Sequence, residues 1–342
     1  MMKIGNQTGT VSQGNAKLAA WLSAVMLAVL AALSANAVKA GSQQDPATNK
    51  AVLPLAELDP GLRLETIGYR LSRANAAKCA VPEMLTGLML HNIGGYDEAD
   101  RAHIQEAFGL TGGFGVLHVV AGSAAALAGI AEDDELVSLN GTDLAAFAKD
   151  AVTNRGSFER TERLVTLLQQ SLGQGPATLG IRRNGAVRRV QLHGEQGCGG
   201  RFAVLHSGSL NAWSDGRYVA VTDRMMRFTS DDAELAFIVA HEMSHNLLHH
   251  AAQAGGTSRL LAEFGFGAKQ LKASEVAADA MAVDLLANAG FSLAAPERIL
   301  RRMAPTQVLS LGITHPRISQ RIKIVRSAIA QRLMAQSDES PL

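Results

Sequence analysis

Apolar positions recur at helical spacing through residues 58–78, at Leu58, Leu62, Ile67, Leu71 and Ala74, which predicts an amphipathic helix. Pro82 then breaks the pattern, and the run from Leu85 to Ile93 predicts a strand. From about 96 to 194 the periods shorten. Strands are expected at 116–120 and at 134–141, the second ending in the turn Asn140-Gly141. A helix is expected near 158–172, then strands at 177–183 and 186–193 about the turn Arg183-Asn184-Gly185. Beyond residue 200 the pattern predicts strands at 201–206 and 217–222, with Ser214-Asp215-Gly216 as a turn before the second. Helices follow at 232–252, 273–289, 296–303 and 316–335. No internal repeat is present. The succession predicts an α+β chain in which a β-rich unit is inserted ahead of a mainly helical one.

The longest charge-free apolar stretch, Leu18–Leu33, follows Lys3 and Lys17 and precedes the small-residue sites Ala35-Asn36-Ala37 and Val38-Lys39-Ala40. Residues 1–40 read as a secretory signal peptide. An uncleaved membrane anchor is the other reading, since a spanning helix needs roughly 20 apolar residues. Both put the remainder of the chain in the periplasm or outside the cell, with contact to the inner membrane only if the segment is uncleaved. Residues 41–56 read as a linker. Of the 342 residues 47% are hydrophobic and 18% charged, which argues against wholesale disorder. A formal net charge of +1 without a basic stripe argues against a nucleic-acid partner. The two cysteines, Cys79 and Cys198, flank the β-rich stretch. Outside the cytoplasm they can form a disulfide that staples the two sides of an insertion; two buried free thiols are the alternative. With the bridge, residues 57–95 would pack with the unit at 196–336, and 96–195 would form the inserted domain.

The inserted stretch contains the glycine-rich turn Gly112-Gly113-Phe114-Gly115, the small-residue run "AGSAAALAGI" and the segment "DDELVSLNG". It resembles a PDZ domain over roughly 90 residues. The resemblance implies an edge at which an extended peptide, often a C-terminus, adds a strand, and a loop 112–115 whose N–H groups hold the peptide's carboxylate.

The helix expected from 232 carries His241-Glu242-Met243-Ser244-His245. Asp231 or Ser230 can cap it, with Glu234 three residues after Asp231. His241 and His245, one turn apart, present both imidazoles on one side, where they can grip one metal ion, and Glu242 can reach a water on that metal and take its proton. An HExxH match arises by chance in about one such chain in a hundred. The next helix supplies the context: Glu275 suits a third ligand and Asp279, one turn later, can accept a hydrogen bond from the far nitrogen of a liganding histidine. Ser274 can cap that helix, or Lys272-Ala273 can extend it. His249 lies a further turn along, about 5.4 Å, too far to share the metal. His315, before Pro316, is a candidate for an active-site role, with Arg321 a turn and a half later.

The segments "HEMSH", "EVAAD" and "THPRISQR", with "NAWSDGRYVAVTDRMM" upstream, resemble the gluzincin peptidases that include HtpX, Oma and BepA (peptidase family M48). The resemblance covers about 200–330. It implies one Zn2+ per chain held by His241, His245 and Glu275, Glu242 as general base, Asp279 orienting a ligand, and His315 and Arg321 belonging to the site. The expected function is a secreted or periplasmic zinc metalloendopeptidase acting on proteins or peptides, such as unfolded envelope proteins, in envelope quality control. The contrasting expectation is a zinc-stabilised PDZ-type binding or chaperone protein with little turnover. The presence of Glu242 speaks against it.

Overall fold

The computed structural model describes residues 59–147, 157–249, 268–307 and 316–338. The N-terminal apolar segment, the linker and His315 lie outside the described residues. Pro60–Ala74 forms helix α1; the Asp59 carboxylate caps it by accepting from the Gly61 N–H at 2.8 Å, and Leu64, Ile67 and Leu71 are buried. The single strand expected over 85–93 is two, β1 (Pro82–Leu85) and β2 (Leu88–His91), because Gly87 between them adopts φ +72°. Pro82 does not interrupt structure but opens β1, a position where a missing N–H is tolerated. Helix α2 (Glu98–Phe108) has no counterpart in the sequence reading. Only its Ile104 is buried, so no apolar stripe announces it.

Strands β3 (Phe114–Val119), β4 (Glu135–Leu139) and β5 (Thr142–Asp143), helix α3 (Glu159–Gln174), and strands β6 (Ala177–Arg183) and β7 (Ala186–Leu192) complete a β-rich module. Its sheet runs β2-β3-β4-β6-β7, with β5 attached to β4. Two Asn-Gly pairs turn the chain here with positive φ at both residues, Asn140 and Gly141 (50° and 83°) and Asn184 and Gly185 (50° and 79°). These are the values a two-residue hairpin turn requires. Phe114, Leu136, Leu164, Leu168 and Ile181 belong to its core. Because β2 is the edge of this sheet, the sheet starts upstream of residue 96, where the sequence reading begins the inserted domain.

A second core gathers residues distant in the chain. Strand β8 (Glu195–Cys198) pairs antiparallel with β1, and β9 (Arg201–Leu205), β10 (Ala212–Ser214) and β11 (Tyr218–Thr222) form a sheet of order β10-β11-β9. Helices α4 (Asp223–Phe228), α5 (Asp232–Leu247), α6 (Ala268–Asn288), α7 (Ala295–Met303) and α8 (Ile318–Asp338) follow. Leu64, Ile67 and Leu71 of α1 share one apolar cluster with Val219 and Val221 of β11, Phe237 of α5 and Leu285 of α6. The molecule is thus α+β with two cores, and α1 packs with helices that follow the β-rich module. Cys79 and Cys198 are disulfide-bonded, with Cα atoms 5.4 Å apart, and Pro82 pairs with Cys198 in the β1–β8 ribbon. Both crossings into the β-rich module are therefore clamped at one place. Among the described residues no helix is long and apolar enough to cross a membrane.

The bridge closes a loop of 119 residues in sequence separation, and a disulfide over a long loop stabilises by about 2–4 kcal/mol. Replacing both cysteines by serine should lower the unfolding free energy of the helical core by about that amount, measured by urea titration under oxidising conditions. The β1–β8 pairing should leave the native circular dichroism unchanged.

Candidate metal centre

Helix α5 begins with reciprocal capping: Asp231 accepts from the Glu234 N–H at 2.9 Å, and the Glu234 carboxylate accepts from the Ser230 N–H at 2.8 Å. Glu234 has no exposed surface and pairs with Arg298 (2.7 Å) and Arg302 of α7, which locks the start of α5 in place. The helix stops at Leu247, short of the expected 252. His249 adopts φ +55° and its N–H bonds back to Asn246 O at 3.1 Å, closing the last turn. His249 therefore leaves the helical face and is outside the cluster that His241 and His245 form.

That cluster is compact. The Nε2 atoms of His241 and His245 lie 3.3 Å apart. Glu275 of α6 sets Oε2 3.4 Å from His241 Nε2 and Oε1 3.4 Å from His245 Nε2. One ligand atom from each of the three lies within 4.8 Å of the other two. Helix α6 runs from Ala268, so Ser274 is interior and does not cap it. Asp279, one turn beyond Glu275 and fully buried, places Oδ1 3.0 Å from Nδ1 of His241. Arg321 of α8 grips the same carboxylate with both arms, Nε to Oδ2 at 2.9 Å and a terminal nitrogen to Oδ1 at 2.6 Å. That arginine nitrogen also lies 3.3 Å from His241 Nδ1. Asp279 is the nearer neighbour and only accepts, so it takes the Nδ1–H proton and leaves Nε2 with a lone pair facing His245 and Glu275.

The electrostatics favour a cation here. Burial and then the Arg321 charge oppose protonation of His241, but hydrogen bonds to Asp279 and Glu275 outweigh them and raise its pKa to about 9, so without a metal a proton sits on Nε2 in the place a bound cation would take. Burial likewise opposes ionisation of Asp279, yet Arg321 and His241 hold it below the usual carboxylate range. Arg321 is the charge partner of Glu242, Glu275 and Asp279 together, so these carboxylates exceed it by two negative charges, the deficit a divalent ion fills. Two imidazole nitrogens and one carboxylate also make a three-ligand zinc set of the catalytic kind, with a position left for substrate. The residues fit zinc.

Glu242 sits beside this cluster, and Ser214 donates its hydroxyl proton to Glu242 Oε2 at 3.0 Å. The sequence reading had Ser214 only as a turn residue; it ends β10. Asn246 holds that strand's turn to α5, accepting from the Gly216 N–H at 2.6 Å and donating to Tyr218 O at 3.1 Å. No spacing rule marks Ser214 or Asn246, because their roles depend on a sheet lying against the helix.

The glycine-rich loop 112–115 is a correction. The N–H groups of Thr111 and Gly113 both bind Glu135 Oε1 at 2.7 Å, so the chain's own carboxylate fills the cradle expected to hold a peptide's. Phe114 is buried in the core, and a Cβ on Gly115 would lie 2.2 Å from His91 Nε2. The strand after the loop, β3, is paired on both sides and offers no edge. Gly113, Phe114 and Gly115 are packing residues, while Gly112 turns the chain at φ +123° with open space about it.

Residues 184–271 match the family model of Peptidase family M48. The match spans α5 and its HExxH motif and bears out the resemblance to that metallopeptidase family read from the motifs. Glu275, Asp279 and Arg321 lie beyond the matched span and stand on the geometry above. Among solved structures, one similar chain is the HtrA3 PDZ domain bound to a phage-derived ligand (FGRWV). It is 19% identical, with 34% of this chain and 89% of that chain covered, at a TM-score of 0.24. No curated protein matches the chain.

Glu275→Ala should remove a zinc ligand and lower the zinc content of purified protein sharply. His249→Ala should leave it at the wild-type level. Asp279→Asn, which weakens the grip on His241 Nδ1–H and Arg321, should weaken zinc binding by about 10- to 100-fold. Zinc titration against a chromogenic chelator measures all three.

Proposed function

We propose that the chain is a zinc-dependent endopeptidase working outside the cytoplasm on unfolded or misfolded envelope proteins. The observation that carries the reading is the convergence of His241, His245 and Glu275 with Glu242 alongside. Zinc held by the three ligands would supply a Lewis acid that polarises a peptide carbonyl and acidifies water. Glu242 accepts the proton of the attacking water and passes it to the leaving amine. The Ser214 hydroxyl orients the Glu242 carboxylate for that transfer, and Asp279 with Arg321 keeps His241 in the tautomer that presents Nε2.

Location beyond the inner membrane is supported by the apolar run Leu18–Leu33 with its A-x-A-like sites and by the Cys79–Cys198 disulfide. Residues 88–192 are read as a PDZ-like module that recruits an extended polypeptide; the support is a sheet ending in an open edge strand, β2, with a helix, α3, beside it. Retention of Glu242 favours turnover over a purely structural zinc protein.

Glu242→Gln should keep zinc and fold while casein cleavage falls by at least about 100-fold, followed by release of acid-soluble fragments. Equal cleavage by wild type and variant, both freed of contaminating proteases, would overturn the peptidase reading. Chelation should abolish cleavage in the wild type and stoichiometric zinc should restore it.

A further inference from the structure

A cavity of about 400 Å3 lies between the two modules, away from the metal cluster. It falls within the roughly 300–1,000 Å3 usual for ligand sites. The unbroken run 84–90 lines it. Side chains on one face of a strand would contribute only alternate residues, so the edge of β2 that pairs with no described strand itself borders the space. Thr161, Val165, Leu168 and Gln169 of α3 form a second wall at helical spacing. The third wall belongs to the peptidase module. Residues 200–203 and Leu205 on and beside β9 line it, with Tyr218 and Ala220 of β11, and Trp213 lies on β10 opposite Ala220.

Polar groups in this apolar space lack partners. Ser72 Oγ of α1 and Thr161 Oγ1 of α3, on residues 1% and 8% exposed, make no hydrogen bond among the described residues. One comes from each module. Buried hydroxyls without a partner are costly unless a ligand satisfies them. Glu65 of α1 also lines the cavity, and no ion pair ties it to any described residue. The cost of burying its charge raises its pKa to about 7, with the Arg201 charge acting in the opposite sense. Arg201 itself is engaged by Gln169 at 3.0 Å and by Glu162 at 3.5 Å, so it does not neutralise Glu65.

We propose that this cavity receives an extended, apolar polypeptide segment bearing one basic residue, which adds a strand to the open edge of β2 and pairs its cation with Glu65. The inference rests on the reading of residues 88–192 as a peptide-recruiting module and adds where the peptide lies and what charge it carries. Main-chain pairing at an edge supplies affinity and side-chain pockets supply selectivity. Here the pockets are shared, since β9 and β10 complete the space that β2 and α3 begin. The far side of β10 bears on the metal centre: Trp213 faces the cavity, and Ser214 next to it hydrogen-bonds Glu242. A bound segment therefore lies one sheet away from the proposed general base.

The test uses the full chain carrying Glu242→Gln, so that binding is read without cleavage. The probe is a fluorescein-labelled twelve-residue peptide of alternating Val and Thr with one central Lys, followed by anisotropy. A second probe replaces the Lys by Glu. Saturable binding of the Lys peptide is expected, with the Glu peptide weaker by about tenfold or more. Val165→Arg, at a partly exposed position lining the cavity, should weaken the Lys peptide by a similar factor. Leu167→Arg, on the exposed side of the same helix, should not; it controls for added charge and for folding. Glu65→Gln should abolish the preference for Lys over Glu. Equal affinity in the Val165→Arg and Leu167→Arg proteins, equal affinity for the two peptides, or no binding would each overturn the proposal. Casein turnover by the wild type is read separately, so loss of the peptidase reading and loss of this one are distinguishable.

Discussion

The carboxylate of Asp279 is the point on which the candidate metal centre depends. It is fully buried and receives two hydrogen bonds from Arg321 on α8 while facing the Nδ1 of His241 on α5. Three helices are thereby tied at one anion. A buried carboxylate without such partners would lose its charge or destabilise the fold, so the triad is kept together by the cost of separating it. The same contacts decide the chemistry. They assign the His241 proton to Nδ1 and aim Nε2 at the space shared with His245 and Glu275, and they leave an excess of negative charge suited to a divalent cation.

Around this centre the chain is arranged as an interrupted domain. Helix α1 belongs to the helical core, yet the β-rich module separates it in sequence from β9 and everything after. The disulfide and the β1–β8 ribbon fasten the entry and exit of that module side by side. Movement of the inserted module is restricted near its root, and the cavity between the modules has walls from both. The short sheet β10-β11-β9 has one face toward the cavity and the other toward the helical core. A change in what fills the cavity therefore has a direct physical route to Ser214 and Glu242.

Much of this was legible in the sequence, for physical reasons that differ by element. Helix α5 announced itself by a buried apolar run, a cap at Asp231 and two histidines one turn apart. Such local rules hold whatever the tertiary surroundings. The Asn-Gly hairpins were equally local, since only a few residues accept the required positive φ. The reading failed where packing takes over from pattern. Helix α2 fully buries only Ile104. Strands β1 and β2 looked like one because Gly87 bends a run whose composition does not change. Loop 112–115 had the glycine spacing of an anion cradle, but Glu135, more than twenty residues away, occupies it.

The sequence by itself marked the candidate chemistry: an HExxH pair followed by Glu275 and Asp279 on a second helix is a donor set suited to a metal ion. It also marked Cys79 and Cys198 as the flanks of an insertion. Only the tertiary structure decided that the three ligand atoms meet within 4.8 Å, that Arg321 balances Asp279, that Ser214 touches Glu242, and that the open edge of the β-rich sheet is β2. Spacing along a helix fixes which residues share a face. Which faces meet is set by long-range burial, and a sequence pattern carries that information only in sum, distributed over both cores.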